Sequence, residues 1–387
     1  MPEAVIVAAG RSPIGRAFKG SLVDWRPDDL GSYVLTEVLK QVPQLEPAMI
    51  DDLMCGCGLP GGEQGFNMGR VISVLARLDT PGCTITRYCS SSLQTTRMAY
   101  HAIKAGEGDV FLSLGVECVS RYGNGSSDPP TAQNPRMLPD NAEGYPDVYI
   151  AMGQTAENVA EREGISREEM DRYAVKSQSA AVAARDGGFF DHEIVAVPLG
   201  EDRTFTRDDG PRPGTTMEKL ATLEPAFREH GRVTAGNACP LNDGAAAVVV
   251  MSDTRARELG IRPLARVVST GVSALEPEFM GLGPIDASKQ ALGRAGMTID
   301  DIDVVELNEA FAAQVIPSAR GIGVDPFSDK LNPHGGAIAL GHPFGMTGAR
   351  ILCTLLNDLR SGDQTYGLET MCVGGGQGMA MIVERLN

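Results

Sequence analysis

Basic side chains are in deficit. Lys and Arg number 34 against 50 Asp and Glu, a formal charge of −16. A field of that sign excludes nucleic acid and anionic membrane surfaces as general partners. It still admits an anionic small ligand, because a few local arginines outweigh a distant field. Cysteine is scarce too: eight thiols, at 55, 57, 83, 89, 118, 239, 353 and 372, cannot form a disulfide scaffold in 387 residues. No apolar run approaches membrane-spanning length, and residues 4–8 open as a strand without a basic-then-apolar leader. The closing Val383-Glu384-Arg385-Leu386-Asn387 carries no peroxisomal address. A soluble, cytoplasmic chain with reduced thiols, no nucleic-acid partner and no membrane partner is expected.

Apolar material is ample, at 42 % of a chain too long for one simple core, so two or three domains or subdomains are expected. Short apolar runs alternate with helix-period segments, the mark of an α/β chain with a buried, largely parallel or mixed sheet. Strands are expected at 4–8, 52–56, 83–87, 110–115, 245–251, 265–270, 302–306, 367–373 and 379–384. Helices are expected near 28–41, 66–77, 91–105, 155–163, 167–185, 287–296, 309–321 and 345–360.

An internal duplication is hinted at. Ile50-Asp51-Asp52-Leu53-Met54 resembles Ile299-Asp300-Asp301-Ile302-Asp303, each leading from a loop into a strand. Further on, Gly106-Glu107-Gly108-Asp109 parallels Ser361-Gly362-Asp363, each between a helix and a strand. Ordinary loop chemistry arising twice is the alternative. Between the halves, residues 121–147 and 200–215 are polar and aperiodic, which suggests an inserted loop domain at 118–243. The halves would be 1–117, completed by 244–262, and 263–387.

Three short stretches set a cysteine or histidine in a turn of small residues: Tyr88-Cys89-Ser90-Ser91-Ser92, Ala339-Leu340-Gly341-His342-Pro343 and Cys372-Val373-Gly374-Gly375-Gly376. Small residues let a substrate approach the backbone and leave N–H groups free for an oxyanion. Two thiols and an imidazole suit acyl transfer through a thioester. Cys89 sits where a strand turns into a helix, whose N-terminus would lower its pKa, with Ser90 and Ser91 as N-caps. Read alone, a small buried cysteine packing as a hydrophobe accounts for Cys89 better. His342 reads equally well as a general base or as a helix-entry histidine bonded to a carbonyl. The glycines after Cys372 resemble a phosphate loop, but no Lys-Ser/Thr and no helix period follow them. Asn308-Glu309 alone suits capping of the next helix. Cys55-Gly56-Cys57 lacks a second ligand pair and reads as strand-end packing, not metal.

Together with Gly236-Asn237-Ala238, Asn242-Asp243-Gly244-Ala245-Ala246 and Asn308-Glu309-Ala310-Phe311-Ala312, these motifs resemble, in order and over essentially the whole chain, the thiolase family. The resemblance embraces acetyl-CoA acetyltransferases and 3-ketoacyl-CoA thiolases. It implies a duplicated five-layer αβαβα core with an inserted loop domain. Cys89 would be the acylated nucleophile, His342 its activator, and Cys372 the acid and base at the acetyl α-carbon. Asn308 would hold a water that, with His342, stabilises the enolate, and the N–H groups of Cys89 and Gly374 would form a second oxyanion site. Met152 with Gly153, Arg212, Phe227, Ala235, Ala238, Cys239, Met280 and Phe311 would line the coenzyme A channel. Coenzyme A and acyl-CoA would be substrates, with no resident metal or redox cofactor, and a homo-oligomer, dimer or dimer of dimers, is implied. The chain departs from the family pattern at Thr86, Ser92, Asn332-Pro333-His334, Ala151 and Cys239. A non-catalytic acyl-CoA-binding protein is the alternative, disfavoured because Cys89, His342, Cys372 and Asn308 are all present. A condensing enzyme acting on a carrier protein is disfavoured by Cys372.

Overall fold

The structure, a computed structural model, describes residues 2–124, 130–139, 143–200 and 202–387. The strands are β1 Ala4–Arg11, β2 Gly15–Arg16, β3 Asp52–Gly56, β4 Gly82–Ile85, β5 Val110–Cys118, β6 Val197–Pro198, β7 Thr204–Phe205, β8 Asn242–Ser252, β9 Ala265–Ala274, β10 Val304–Leu307, β11 Tyr366–Val373 and β12 Gln377–Arg385. The helices are α1 Pro27–Leu39, α2 Met68–Leu75, α3 Ser91–Ala105, α4 Met152–Arg162, α5 Arg167–Asp186, α6 Met217–Ala221, α7 Asp253–Glu258, α8 Gly283–Ala295, α9 Ala312–Ile322, α10 Ala337–Leu340 and α11 Thr347–Ser361. Every longer element expected from the sequence is present. The strand expected at 83–87 stops at Ile85, and the helix expected from 309 starts only at Ala312. The short α6, α7 and α10 were beyond the reach of periodicity.

The principal strands run β10-β11-β12-β9-β1-β8-β5-β3-β4, and strand pairing between the two halves consists, among the described residues, of two residue pairs between β1 and β9. Each half repeats one pattern. β3–β5 and β10–β11 are parallel, while β5–β8, β11–β12, β8–β1 and β12–β9 are antiparallel. Leu331 bridges Val305 in parallel at the place β4 occupies beside β3. The duplication is therefore real, but the first matched strings stand one turn out of register. Asp51 Oδ2 accepts from the N–H groups of Asp109 and Val110 at 2.7 and 2.9 Å. Asp303 Oδ2 accepts from Thr365 and Tyr366 at 2.9 and 2.8 Å, so Asp303, not Asp300, is the counterpart of Asp51.

Side chains alternate across each sheet and both faces are covered. From β8, Val248 and Val250 enter one core while Val249 and Met251 enter another. The central core joins both halves: Leu93 and Ile103 of α3 and Leu352, Leu355 and Leu359 of α11 pack between Ile6, Phe111, Val267, Met371 and Met381. Outer cores lie under α1 and α2 on one side and under α8 and α9 on the other. The layers thus run helix, sheet, paired central helices, sheet, helix.

The chain leaves the sheet after Cys118 and returns at Asn242. In between come short 3-10 turns, α4, α5, the β6–β7 pair and α6. Residues 125–129 and 140–142 of the polar 121–147 stretch, and residue 201 of the 200–215 stretch, lie outside the described residues. A buried cluster fastens this segment to the first half: Arg11 meets Glu193 at 2.7 Å and Asp208 at 2.8 Å.

Candidate active site

α3 and α11 begin at the same edge of the central layer, and the turns before them carry the site. After β4 the backbone folds into a 3-10 turn over Tyr88–Ser90, with Tyr88 at φ 43°. Such a φ is strained for an aromatic residue and fits a turn that aims its neighbour's side chain. Ser91 Oγ braces the turn, donating to Tyr88 O at 2.6 Å and accepting from Arg87 N at 2.9 Å. Ser90 makes no cap bond and donates to Arg87 O, so the expected capping is replaced by this bracing.

Cys89 lies at the floor of a cavity of about 300 Å³, with Gly374 and Gly375 in the wall. Its thiol is not acidified by the helix start. Burial pushes the pKa up to about 11, against the opposing pull of the N–H groups of Gly374 and Cys89 itself. Desolvation outweighs the dipole because the sulfur is removed from water. Those two N–H groups are the pair expected for the oxyanion.

Cys372 is the penultimate residue of β11, fully buried, its pKa raised first by burial and then by Cys89 and Cys239. The three thiols therefore share one low-dielectric neighbourhood. The 374–376 turn joins β11 to β12, and glycine is obligatory at 376: φ is 81° and a Cβ would lie 2.2 Å from Leu275 O.

His342 is buried and held on three sides. Its N–H donates to Asn242 Oδ1 at 3.0 Å, Nδ1 meets Thr347 Oγ1 at 2.6 Å, and Nε2 faces Asn308 Nδ2 at 3.3 Å. No carbonyl takes the ring, contrary to the helix-entry alternative. Thr347 Oγ1 donates its own hydrogen to Pro343 O at 2.8 Å, so it accepts from Nδ1–H and makes Nε2 the acceptor nitrogen, to which the Asn308 amide donates. Burial, then the charge of Arg350, pull the imidazole pKa down to about 3. Gly341, at φ 117°, lets Asn242 reach in, since a Cβ there would lie 2.6 Å from its side chain. Phe344 packs edge-on against the imidazole at 5.2 Å and lines the Cys89 cavity.

Asn308 does not cap α9, whose N-cap is Phe311. Its amide turns to His342 and its buried Oδ1 has no partner among the described residues. Glu309 is structural: it accepts from Tyr173, Ser177, Asn332 and the N–H of Ile338, tying α5 to the turns around the site. Asn237 also serves as a tie, bonding Asp171 on α5 and accepting from Ala312 N at the start of α9.

The residues expected to line a channel separate into groups. Phe227 meets Phe311 edge-on at 6.0 Å, Ala238 bridges Phe311, and Gly153 has Phe227 close against it. Met152 opens α4 and borders the Cys89 cavity. The N–H of Cys239 donates to Ala310 O at 3.0 Å. Arg212 and Ala235 are exposed, with Arg212 near enough to Arg16 for the two charges to repel. Met280 is only 1 % exposed and packs in the second core rather than on an open wall.

The sequence departures have structural reasons. Thr86 Oγ1 donates to Gly58 O, Ser92 Oγ accepts from Ala349 N across the central helices, and His334 stacks on Phe189 while bonding Asp358. Sequence reasoning missed Thr347 and Glu117. Glu117, fully buried at the end of β5, receives Gly58 N, Leu59 N, Gln64 Nε2, Tyr122 OH and Gly345 N. It locks two walls of the cavity together. A charged residue closing an otherwise apolar strand was the available signal. Cys55 and Cys57 are free, buried thiols, and no described residues form a metal-holding group.

The sequence and the overall fold match known proteins. The thiolase N-terminal domain matches residues 4–254 and the thiolase C-terminal domain residues 261–385. The chain belongs to the thiolase family. Thiolases are acyltransferases, and the relatives bear that name. A 3-ketoacyl-CoA thiolase of Bacillus subtilis is 43 % identical over 99 % of this chain and 100 % of its own length. A beta-ketoadipyl-CoA thiolase of Acinetobacter baylyi is 41 % identical over 100 % of both. The structure of human mitochondrial 3-ketoacyl-CoA thiolase in complex with CoA superposes with a TM-score of 0.89 at 35 % identity, over 100 % of this chain and 98 % of that one. The thiolase fold and the acyl-transfer class are thereby fixed.

Proposed function

We propose that the cavity over Cys89 is the active site for reversible, CoA-dependent cleavage of 3-ketoacyl-CoA to acetyl-CoA and a shortened acyl-CoA. The observation that carries this is the shared buried neighbourhood of Cys89, Cys372 and the N–H of Gly374, with the His342–Asn308 pair behind Phe344. His342 Nε2 takes the thiol proton as the Cys89 sulfur attacks the 3-keto carbon. With the thiol near 11 and the imidazole near 3, the resting pair is neutral, so proton transfer is coupled to attack. The C2–C3 bond breaks and its electrons pass to C2. Cys372 delivers a proton there, and acetyl-CoA departs. The acyl group stays on Cys89 until CoA, its thiol proton taken by the Cys372 thiolate, attacks the carbonyl with the Cys89 and Gly374 N–H groups holding the oxyanion. The C–S bond to Cys89 then breaks, His342 returns its proton to the Cys89 sulfur and the shortened acyl-CoA departs. Asn308 and a water it holds would stabilise the enolate oxygen together with His342.

Residues 118–243 serve in this reading as the CoA-binding insertion between halves 1–117, with 244–262, and 263–387. The Phe227–Phe311–Ala238 wall, backed by the buried Met280 and flanked by Met152, Ala235 and Cys239, with Arg212 toward the nucleotide, is the proposed channel. A relative solved with CoA supports it. Cytoplasmic placement agrees with the bacterial relatives, and no described helix is long and apolar enough to cross a membrane. Self-association is supported by the exposed Phe66, Val74 and Leu75 around α2 beside the edge strand β4.

Thiolysis of a 3-ketoacyl-CoA, with and without free CoA, tests the reading. Wild type should require CoA and Cys89→Ala should be inert. Activity that survives in Cys89→Ala sinks the assignment.

A further inference from the structure

The cavity beside Cys89 also has a selective chemistry. Its walls away from the nucleophile are Leu59, Val148, Ile150, Ala151, Met152 and Phe344, and its polar members are neutral: Tyr88, Gln133 and Tyr149. Among the described residues, no Lys, Arg or His lines it. The arginines that flank these residues in sequence are engaged elsewhere. Arg87 donates to Gln94 and Gln377, Arg121 is paired with Glu63, and Arg136 with Glu143. The two undescribed segments of the same loop, 125–129 and 140–142, contain Asp128 and Asp140 but no basic residue. Glu117 stands behind Gly58 and Leu59, and the whole chain is acidic at −16.

We propose that this pocket admits an uncharged, apolar acyl tail and rejects a 3-ketoacyl tail ending in a carboxylate. The inference rests on the thiolase reading above. A terminal carboxylate seated here would exchange water for largely apolar walls, with the neutral donors of Tyr88, Gln133 and Tyr149 but no cation among the described lining residues to offset the loss. A methyl terminus loses nothing by the same transfer and gains apolar contact. Sites of this kind discriminate by what they leave unpaired more than by what they grip. Selectivity at the tail thus adds no chemistry to the reacting carbons.

The test compares two probes of equal carbon count, 3-ketohexanoyl-CoA and 3-ketoadipyl-CoA, on the full-length enzyme with saturating CoA. The expected result is a kcat/KM at least ~100-fold higher for the methyl-ended probe, residing mostly in KM because the tail is remote from the bond that breaks. Val148→Arg should shift the ratio toward the carboxylate probe by about tenfold or more, while Val148→Ala should not. If Val148→Arg fails to fold, Leu59→Lys serves the same purpose. Equal or better turnover of the carboxylate probe by wild type overturns the inference and leaves the thiolase reading standing. Inertness toward both probes overturns the reaction proposed for the cavity and this inference with it, while the family membership stands.

Discussion

The two halves use the same βα unit and make different things of it. α3 and α11 are both 15 residues long, and each ends in a glycine C-cap, Gly106 or Gly362. The first helical residue is a hydroxyl in both, Ser91 and Thr347. Each hydroxyl donates to a carbonyl three or four residues back, Tyr88 O or Pro343 O. They differ in what they accept. Ser91 accepts a backbone N–H and braces the turn under Cys89, whereas Thr347 accepts the imidazole N–H of His342. The returns to the sheet differ as well: residues 119–241 separate β5 from β8, but only 374–376 separate β11 from β12. One half carries Cys89, the proposed nucleophile, and the insertion. The other carries His342, the proposed base, with Cys372 and a glycine turn.

Removing the reacting group of each half is the hardest test of that division. Cys89→Ala and Cys372→Ala should each lower thiolysis by ~1,000-fold or more. Their thermal unfolding should stay near wild type, since small buried thiols contribute mainly packing. An intact rate in either variant would remove that half from the chemistry.

The paired hydroxyls should separate next. Thr347→Val should lower kcat by ~10- to 100-fold with little change in KM, through loss of the imidazole tautomer and aim. Thr347→Ser should restore most of it. Ser91→Ala should act on stability as much as on rate, having only backbone to hold. Equal kinetic losses at both positions would abolish the distinction.

Stability tests the structural ties. Glu117→Ala leaves buried N–H and O–H donors unpaired and should cost about 3 kcal/mol in denaturant unfolding. Gly376→Ala, at φ 81° and against Leu275 O, should cost about 2–3 kcal/mol.

The smallest effect concerns pH. His342 in the folded state titrates near 3, below its ordinary 6.5, so the unfolded chain binds the extra proton between those values. The stability this group contributes is full above 6.5 and is lost as pH falls toward 3. Burial pushes Glu306, Glu369 and Asp358 well up, an effect of opposite sign that His342→Asn would share. The variant should therefore lose stability less steeply than wild type between pH 6.5 and 4. Parallel slopes would show that the imidazole is not desolvated.

The motif residues were legible because their neighbours in sequence reveal them: glycines at positive φ, a proline after His342, apolar strands running into Cys89 and Cys372. Helix identity was legible for the same local reason, and α3 was placed to the residue. Asn308 was legible only through the family motif, because its own sequence context reads as capping while its amide is claimed by a histidine 34 positions away. The thiol pKa ran opposite to the local expectation because the fold's burial, not the helix end, sets the dielectric around sulfur.

Local chemistry, then, decided where the chain turns, which residues carry reactive atoms and, through their ordered motifs, the family. Tertiary structure decided what those atoms are. It sank Cys89 below water, made Nε2 the imidazole's acceptor nitrogen by setting Thr347 against Nδ1, and closed an uncharged cavity by joining Gly58–Leu59 to Gly345 through Glu117. Those outcomes depend on contacts between residues far apart in sequence, where desolvation and hydrogen-bond partners are set by the neighbours that packing supplies.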